Sequence, residues 1–137
     1  MTPSAQKPPQ AFWRHGAPAP LVAAASLVAV EGMLLMLYGV AEIFALTGAR
    51  AAMGATTSVF FLAYGAGLVF CAWSLTRLRS WARAPVVLAQ LIQALVAWGF
   101  RGGTTTAVAV ALLLAAVLVL VGIFHPASVG ALAADRD

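Results

Sequence analysis

The chain has 137 residues, 63% of them hydrophobic and 9% charged, with a mean hydropathy of +0.96. A water-soluble domain is about a quarter charged, so this composition excludes a water-facing surface and implies a membrane protein. The net charge of +4 comes from eight Lys/Arg against four acids, and none of the eight lies in a long apolar run, which excludes a nucleic-acid patch and leaves them as topology signals. A single cysteine, Cys71, excludes an internal disulfide and multi-cysteine metal or redox motifs, and reads as a small packing residue.

Residues 1–20 hold five of the seven prolines together with Lys7 and Arg14, which predicts a flexible proline-rich tail. Phe12, Trp13, Arg14 and His15 then set aromatics beside basic side chains, a pairing suited to the lipid headgroup layer. The first apolar run, residues 21–46, predicts a membrane-spanning helix 1, since about 20 apolar residues suffice. It is too long for the apolar region of a signal peptide and is expected to remain in place. It also carries Glu31 and Glu42, the only carboxylate side chains before the C-terminal Asp135 and Asp137. Eleven positions at about 100° each bring both glutamates to one helix face, with Tyr38 between them. Carboxylates at bilayer depth face protein or water rather than lipid, so the other helices are expected to cover this stripe.

Residues 47–55 read as a short outer connection, followed by helix 2 over residues 56–76. Small residues repeat at Ala63, Gly67, Cys71 and Ser74, and helix 1 has a comparable series at Ala25, Ala29, Gly32 and Gly39. Two such seams predict close packing of helices 1 and 2, with a glycine-lined substrate path as the sharper alternative. Arg77, Arg79 and Arg83 then form the densest charge cluster in the chain. Helix 3 is predicted over residues 82–100, with Pro85 in its first turn and Gln90 and Gln93 as a polar patch within the span. After the turn at Arg101, helix 4 covers residues 104–124 with no polar side chain between Thr106 and His125, and so is expected to be the most lipid-exposed. The membrane domain is therefore residues 21–126, and residues 127–137 read as a short polar tail.

Lys7, Arg14, Arg77, Arg79, Arg83 and Arg136 fall on one side of these spans, Arg50 and Arg101 on the other. That asymmetry predicts both termini and the middle loop in the cytoplasm, for a multi-pass protein of the inner (plasma) membrane. At about 1.5 Å per residue, Glu31, Gln93 and Tyr64 all lie near the midplane. Glu42 lies near the outer edge, within reach of Arg50 or Arg101, and an ion pair is expected there. No Lys or Arg shares the depth of Glu31, so desolvation favours its neutral, hydrogen-bonded form. Three readings follow: a protonated glutamate locked to Gln90 or Gln93, a proton or cation site facing a cavity, or a carboxylate met by a partner subunit's positive charge.

Neither a phosphate-binding glycine loop nor a histidine pair at metal spacing is present; His15 and His125 read as headgroup-level side chains. With no nucleophile–base pair either, an enzyme is not expected, and neither is a cofactor or metal.

The stretch Arg79-x-Trp81-Ala82-Arg83-Ala84-Pro85-Val86-Val87-x-x-Gln90, with Trp98 later in the same helix, resembles a group of small four-helix integral membrane proteins of high-GC Gram-positive bacteria. The resemblance runs from helix 1 through helix 4 and implies topology, since that group has no assigned activity. The small multidrug exporters match in architecture alone: their Trp-x-Gly signature is missing from helix 3, which has Trp98-Gly99-Phe100 at its outer end. Glu31 also lies deeper in a longer helix than their glutamate.

The expectation is thus an all-α bundle of four transmembrane helices, two antiparallel hairpins with both termini inside. It would serve as a packing or interaction module, or an accessory subunit of a membrane complex. Its expected partners are the bilayer and further copies or subunits, not nucleic acid. The alternative is a small proton-coupled transporter built on the embedded glutamate.

Overall fold

In a bilayer, a run of Ala, Leu, Val and Met satisfies its own backbone N–H and C=O groups by forming a helix. The computed structural model describes residues 16–134. Five α-helices follow one another: α1 (Ala19–Phe44), α2 (Ala51–Thr76), α3 (Arg83–Gly99), α4 (Thr106–Phe124) and α5 (Pro126–Ala133). One-turn 3₁₀ segments at Gly48–Arg50, Ser80–Ala82 and Gly103–Thr105 lead into α2, α3 and α4. Extended by those turns, α2 to α4 join α1 as four stretches long and apolar enough to cross a membrane. The readings made for residues 1–15 of the proline-rich tail, among them Lys7, Trp13, Arg14 and His15, and for Arg136 fall outside the described residues, while Ala19 and Pro20, expected in that tail, open α1.

Two boundaries differ from expectation. The connection expected over residues 47–55 is shorter, because α2 already begins at Ala51. Ala51, Ala52, Met53 and Ala55 are strong helix formers, and Gly54 alone does not outweigh them. The second difference is at the C-terminal end, where residues expected as a tail form α5. Pro126 at its first position needs no N–H partner, and His125 Nδ1 accepts from the Ala127 N–H at 3.2 Å as its cap. Ser128 and Leu132 are buried, and the Ser128 hydroxyl donates to the Gly122 carbonyl at 2.6 Å, folding α5 back under α4.

The end of α2 is unusual. Arg79 N–H donates to Ser74 O at 3.0 Å and Leu78 N–H to Leu75 O at 2.9 Å, the paired bonds of a Schellman cap. Its left-handed position is normally glycine, but here it is Leu78 at φ 60°. The leucine side chain packs against the buried core, which offsets the backbone cost.

That core gathers the start of α1, the end of α2, the start of α3, the end of α4 and Leu132 of α5. Leu21, Val28, Leu75, Val86, Val119 and Ile123 are wholly buried in it. We call this the basic end, after Arg77, Arg79 and Arg83. The opposite, far end holds the α1–α2 and α3–α4 connections, where Gly102 and Gly103 take positive φ (131° and 65°) and the Thr105 hydroxyl donates to Phe100 O at 2.9 Å.

The tightest helix contact is between α1 and α2. A Cβ added at Gly32 would stand 2.6 Å from the Gly65 carbonyl oxygen, and one at Gly39 would stand 3.0 Å from that of Ser58. Small residues thus recur every seven positions on both helices, at Ala25, Gly32 and Gly39 and at Ser58, Gly65 and Ala72, all buried. This corrects the seam expected on helix 2. Ala63 and Gly67 are exposed, and nothing stands within 4 Å of a Cβ at Gly67, because α1 lies against the Gly65 side of the helix. Cys71 and Ser74 are buried, and Ala29 is half-buried. Helix α4 meets α1 in the same manner: a Cβ at Gly122 would come 2.7 Å from Pro20 O.

Candidate functional site

Midway along α1, the Glu31 carboxylate meets two amides from α3. Gln90 and Gln93 are three residues apart and so share a helix face. Gln90 Nε2 donates to Glu31 Oε2 at 2.7 Å, and Gln93 Nε2 donates to Glu31 Oε1 at 2.9 Å. The second hydrogen of Gln93 Nε2 reaches the Leu112 carbonyl on α4 at 3.1 Å. One carboxylate and two amides therefore tie three helices together at a depth where lipid offers no hydrogen bonds.

The two amides are not equally satisfied. Gln90 is completely buried, and its Oε1 has no partner among the described residues. A buried acceptor left unmade costs about 1–3 kcal/mol. In the arrangement seen, both amides donate and the Glu31 carboxyl accepts at each of its oxygens. Rotating the Gln90 amide by half a turn would bring Oε1 to Glu31 and leave Nε2 as the unpartnered group instead, so one polar atom of Gln90 is orphaned in either orientation.

The other polar residues singled out in the spans make no hydrogen bond to this cluster, although Tyr64 lies within electrostatic range of Glu31. Tyr64 is half-buried and stacks on Phe60 with centroids 5.7 Å apart, and its hydroxyl donates to none of the described residues. Tyr38 is exposed; it donates to Glu42 Oε1 at 3.0 Å, one turn along α1, and meets the Phe61 ring edge-on at 5.1 Å. That bond replaces the ion pair expected at the outer edge. Among the described residues Glu42 pairs with neither Arg50 nor Arg101: the Arg101 guanidinium lies over the Trp98 ring at 3.7 Å, and Arg50 is exposed at the start of α2. A neighbour one turn away on the same helix needs no loop to be ordered, and an aromatic face holds an arginine at little desolvation cost.

Sequence reading missed four residues of the packing surface: Ser58, Gly65, Ala72 and Gly122. The signal for the first three is their spacing of seven, shared with Ala25, Gly32 and Gly39 on the other helix, a period that keeps one seam facing a partner helix. Among the described residues, no group of three His, Cys, Asp or Glu side chains comes together to hold a metal ion. No protein-family model matches the chain, and comparison with curated proteins and with solved structures likewise gives no match.

Proposed function

We propose that the chain is a non-enzymatic packing and interaction module of a membrane, acting as an accessory subunit of a larger complex or as a homo-oligomer. In this reading the helices form two antiparallel hairpins in the inner (plasma) membrane, with both termini and the arginine loop in the cytoplasm. The pairing of Gly32 with Gly65 and of Gly39 with Ser58 supports the first hairpin. The charge asymmetry supports the orientation. The observation that carries the reading is the use made of Glu31: both its oxygens are occupied by α3, and Gln93 passes the tie on to α4. A costly intramembrane carboxylate is used here to fix helix against helix.

The interaction face is assigned to α1, whose outward side carries Met33, Leu34, Leu37 and the Tyr38–Glu42 pair. Lipid tails offer this pair no further hydrogen bonds, and a partner helix does. Photo-crosslinkers at Leu37 on α1 and at Val121 on α4, both well exposed, test this in native membranes. Protein adducts are expected from position 37 and lipid adducts alone from position 121. Equal protein adducts from both positions would refute the assignment.

One observation favours a second reading, a small proton-coupled transporter: Gln90, which donates to Glu31, has a buried Oε1 that the structural tie leaves without a partner among the described residues. Glu31→Gln separates the two. As a structural tie it should be nearly neutral, since the new amide keeps one acceptor and can donate to Gln90 Oε1. Glu31→Ala strands the Gln90 amide and leaves Gln93 only its bond to Leu112 O, and should cost about 1–3 kcal/mol. As a coupling site, Glu31→Gln leaves a stable protein that no longer moves protons. Infrared difference spectroscopy of Glu31 reads this directly: a carboxyl that never exchanges with solvent excludes the transporter.

A further inference from the structure

The helix tie makes no use of the basic end. Arg77, Arg79 and Arg83 stand within seven residues of one another, and among the described residues none of them meets a carboxylate. The two described carboxylates are engaged far away, Glu31 by glutamines and Glu42 by Tyr38. Arg77 and Arg79 line one cavity of about 200 Å³ together with Phe70, Trp73, Ser74 and Trp81. Its walls are aromatic: the Phe70 ring lies 6.0 Å from Trp73 and 5.8 Å from Trp81, and the Arg77 guanidinium sits 4.7 Å over Trp73. Ser74 is 3% exposed, and its hydroxyl donates to none of the described residues. Two guanidinium groups and a hydroxyl that donates to none of the described residues, with no carboxylate among the described residues paired to them, are the donor set for a phosphate group.

A second observation selects the kind of phosphate. Phe70 and Trp73 also line the adjoining groove, about 420 Å³, whose remaining walls are Met36, Ala66 and Val69. This groove is apolar and runs along the span beside α1 and α2. From Arg77 to Ala66 is eleven residues, or about 16 Å of helix. One leaflet of a bilayer's hydrocarbon core is about 15 Å thick. A free phosphate ion makes no use of such a groove, whereas a phospholipid fills both parts at once. A zwitterionic headgroup would bring its own cation next to the arginines, so the site favours a lipid of net negative charge.

We propose that Arg77 and Arg79 bind the phosphate of an anionic phospholipid whose acyl chain lies in the groove formed by Met36, Ala66, Val69, Phe70 and Trp73. The site rests on the chain spanning a bilayer and is independent of what Glu31 or the α1 face does.

The test uses the full chain in lipid nanodiscs, with tryptophan fluorescence quenched by brominated phosphatidylglycerol or brominated phosphatidylcholine. Phosphatidylglycerol is expected to bind about tenfold more tightly or better, as two arginines at a membrane surface imply. That preference should fall to near onefold in Arg77→Gln/Arg79→Gln and persist in Arg50→Gln/Arg101→Gln. Ala66→Phe, at an exposed position of the groove, removes no charge. It should weaken long-chain phosphatidylglycerol several-fold and leave a short-chain analogue unaffected, which keeps the test decisive should the arginine variant fail to fold. Equal binding of the two lipids by the unmodified chain would overturn the proposal. So would equal loss in the Arg50/Arg101 variant, or displacement of the lipid by inorganic phosphate, which would assign the cavity to a free oxyanion.

Discussion

At the basic end Leu21, Leu75, Val86 and Ile123 are wholly buried, whereas at the far end the buried residues are Gly39, Ser58, Ala97 and Ala109, and Phe44, Met53 and Leu95 stand exposed. The same four helices are thus held together in two ways. At one end large side chains interdigitate as in a soluble core, and α5 closes the underside. At the other, small residues let backbones approach, and the large side chains turn outward to lipid. Glu31 and its glutamines lie between the two regimes, a polar pin where one kind of packing gives way to the other. The contrast predicts opposite sensitivities: adding atoms should damage the small-residue seam, and removing them should damage the core.

The largest effect is expected at Gly65. A Cβ there would stand 2.5 Å from the Gly32 carbonyl oxygen, a backbone atom that cannot move without separating the helices. Gly65→Leu should therefore cost about 3 kcal/mol or more in unfolding measured in mixed micelles. Gly67→Leu, two positions away and open to its surroundings, should fall within about 0.5 kcal/mol of the unmodified protein. Equal losses would mean that α1 and α2 do not meet along the seven-residue seam.

Next is Leu75, wholly buried at the basic end. Leu75→Ala leaves a cavity in the buried cluster that also holds Leu21, Val28 and Val86, and should cost about 2–3 kcal/mol. The lower part of the range for such truncations applies because the reference state in a membrane is itself apolar, so lost packing rather than lost transfer from water sets the cost. Leu95→Ala on the far half of α3, where the side chain is 73% exposed, should be nearly silent. A large loss at Leu95 would show that a partner covers the far end and would blur the contrast between the two halves.

Much of this was legible from residue types alone. The four spans follow from apolar length, and the meeting of Glu31 with Gln90 and Gln93 follows from economy, because these are the few strongly polar side chains at that depth. What the sequence did not disclose was phase. Small residues occur at so many positions of α2 that spacings of four and seven are both present, and only the partner helix decides that Gly65 rather than Gly67 is covered. Charge pairing misled for a related reason. Glu42 and the far-end arginines are close in depth, but depth does not fix azimuth: Glu42 found a nearer neighbour in Tyr38 and Arg101 in Trp98, while Arg50 is exposed. The α5 helix was hidden by its length, being too short to show a period, although His125-Pro126 is a start signal of the kind helices use.

The smallest expected effect tests the junction where the core meets the arginine loop. Leu78 stands at φ 60° in a position that glycine occupies at no steric cost. Its retention implies that packing offsets a strain of about 1–2 kcal/mol. Leu78→Gly removes both the strain and the packing, so the two changes nearly cancel and the net shift should stay below about 1 kcal/mol. Leu78→Ala keeps the strain, because a Cβ remains, and loses the packing. Alanine should therefore be less stable than glycine here by about 1 kcal/mol, the reverse of their usual order in a helix. Thermal unfolding of the two variants side by side is the measurement. An alanine variant as stable as the glycine one would mean that the left-handed turn carries no strain, and that no packing is needed to offset one at Leu78.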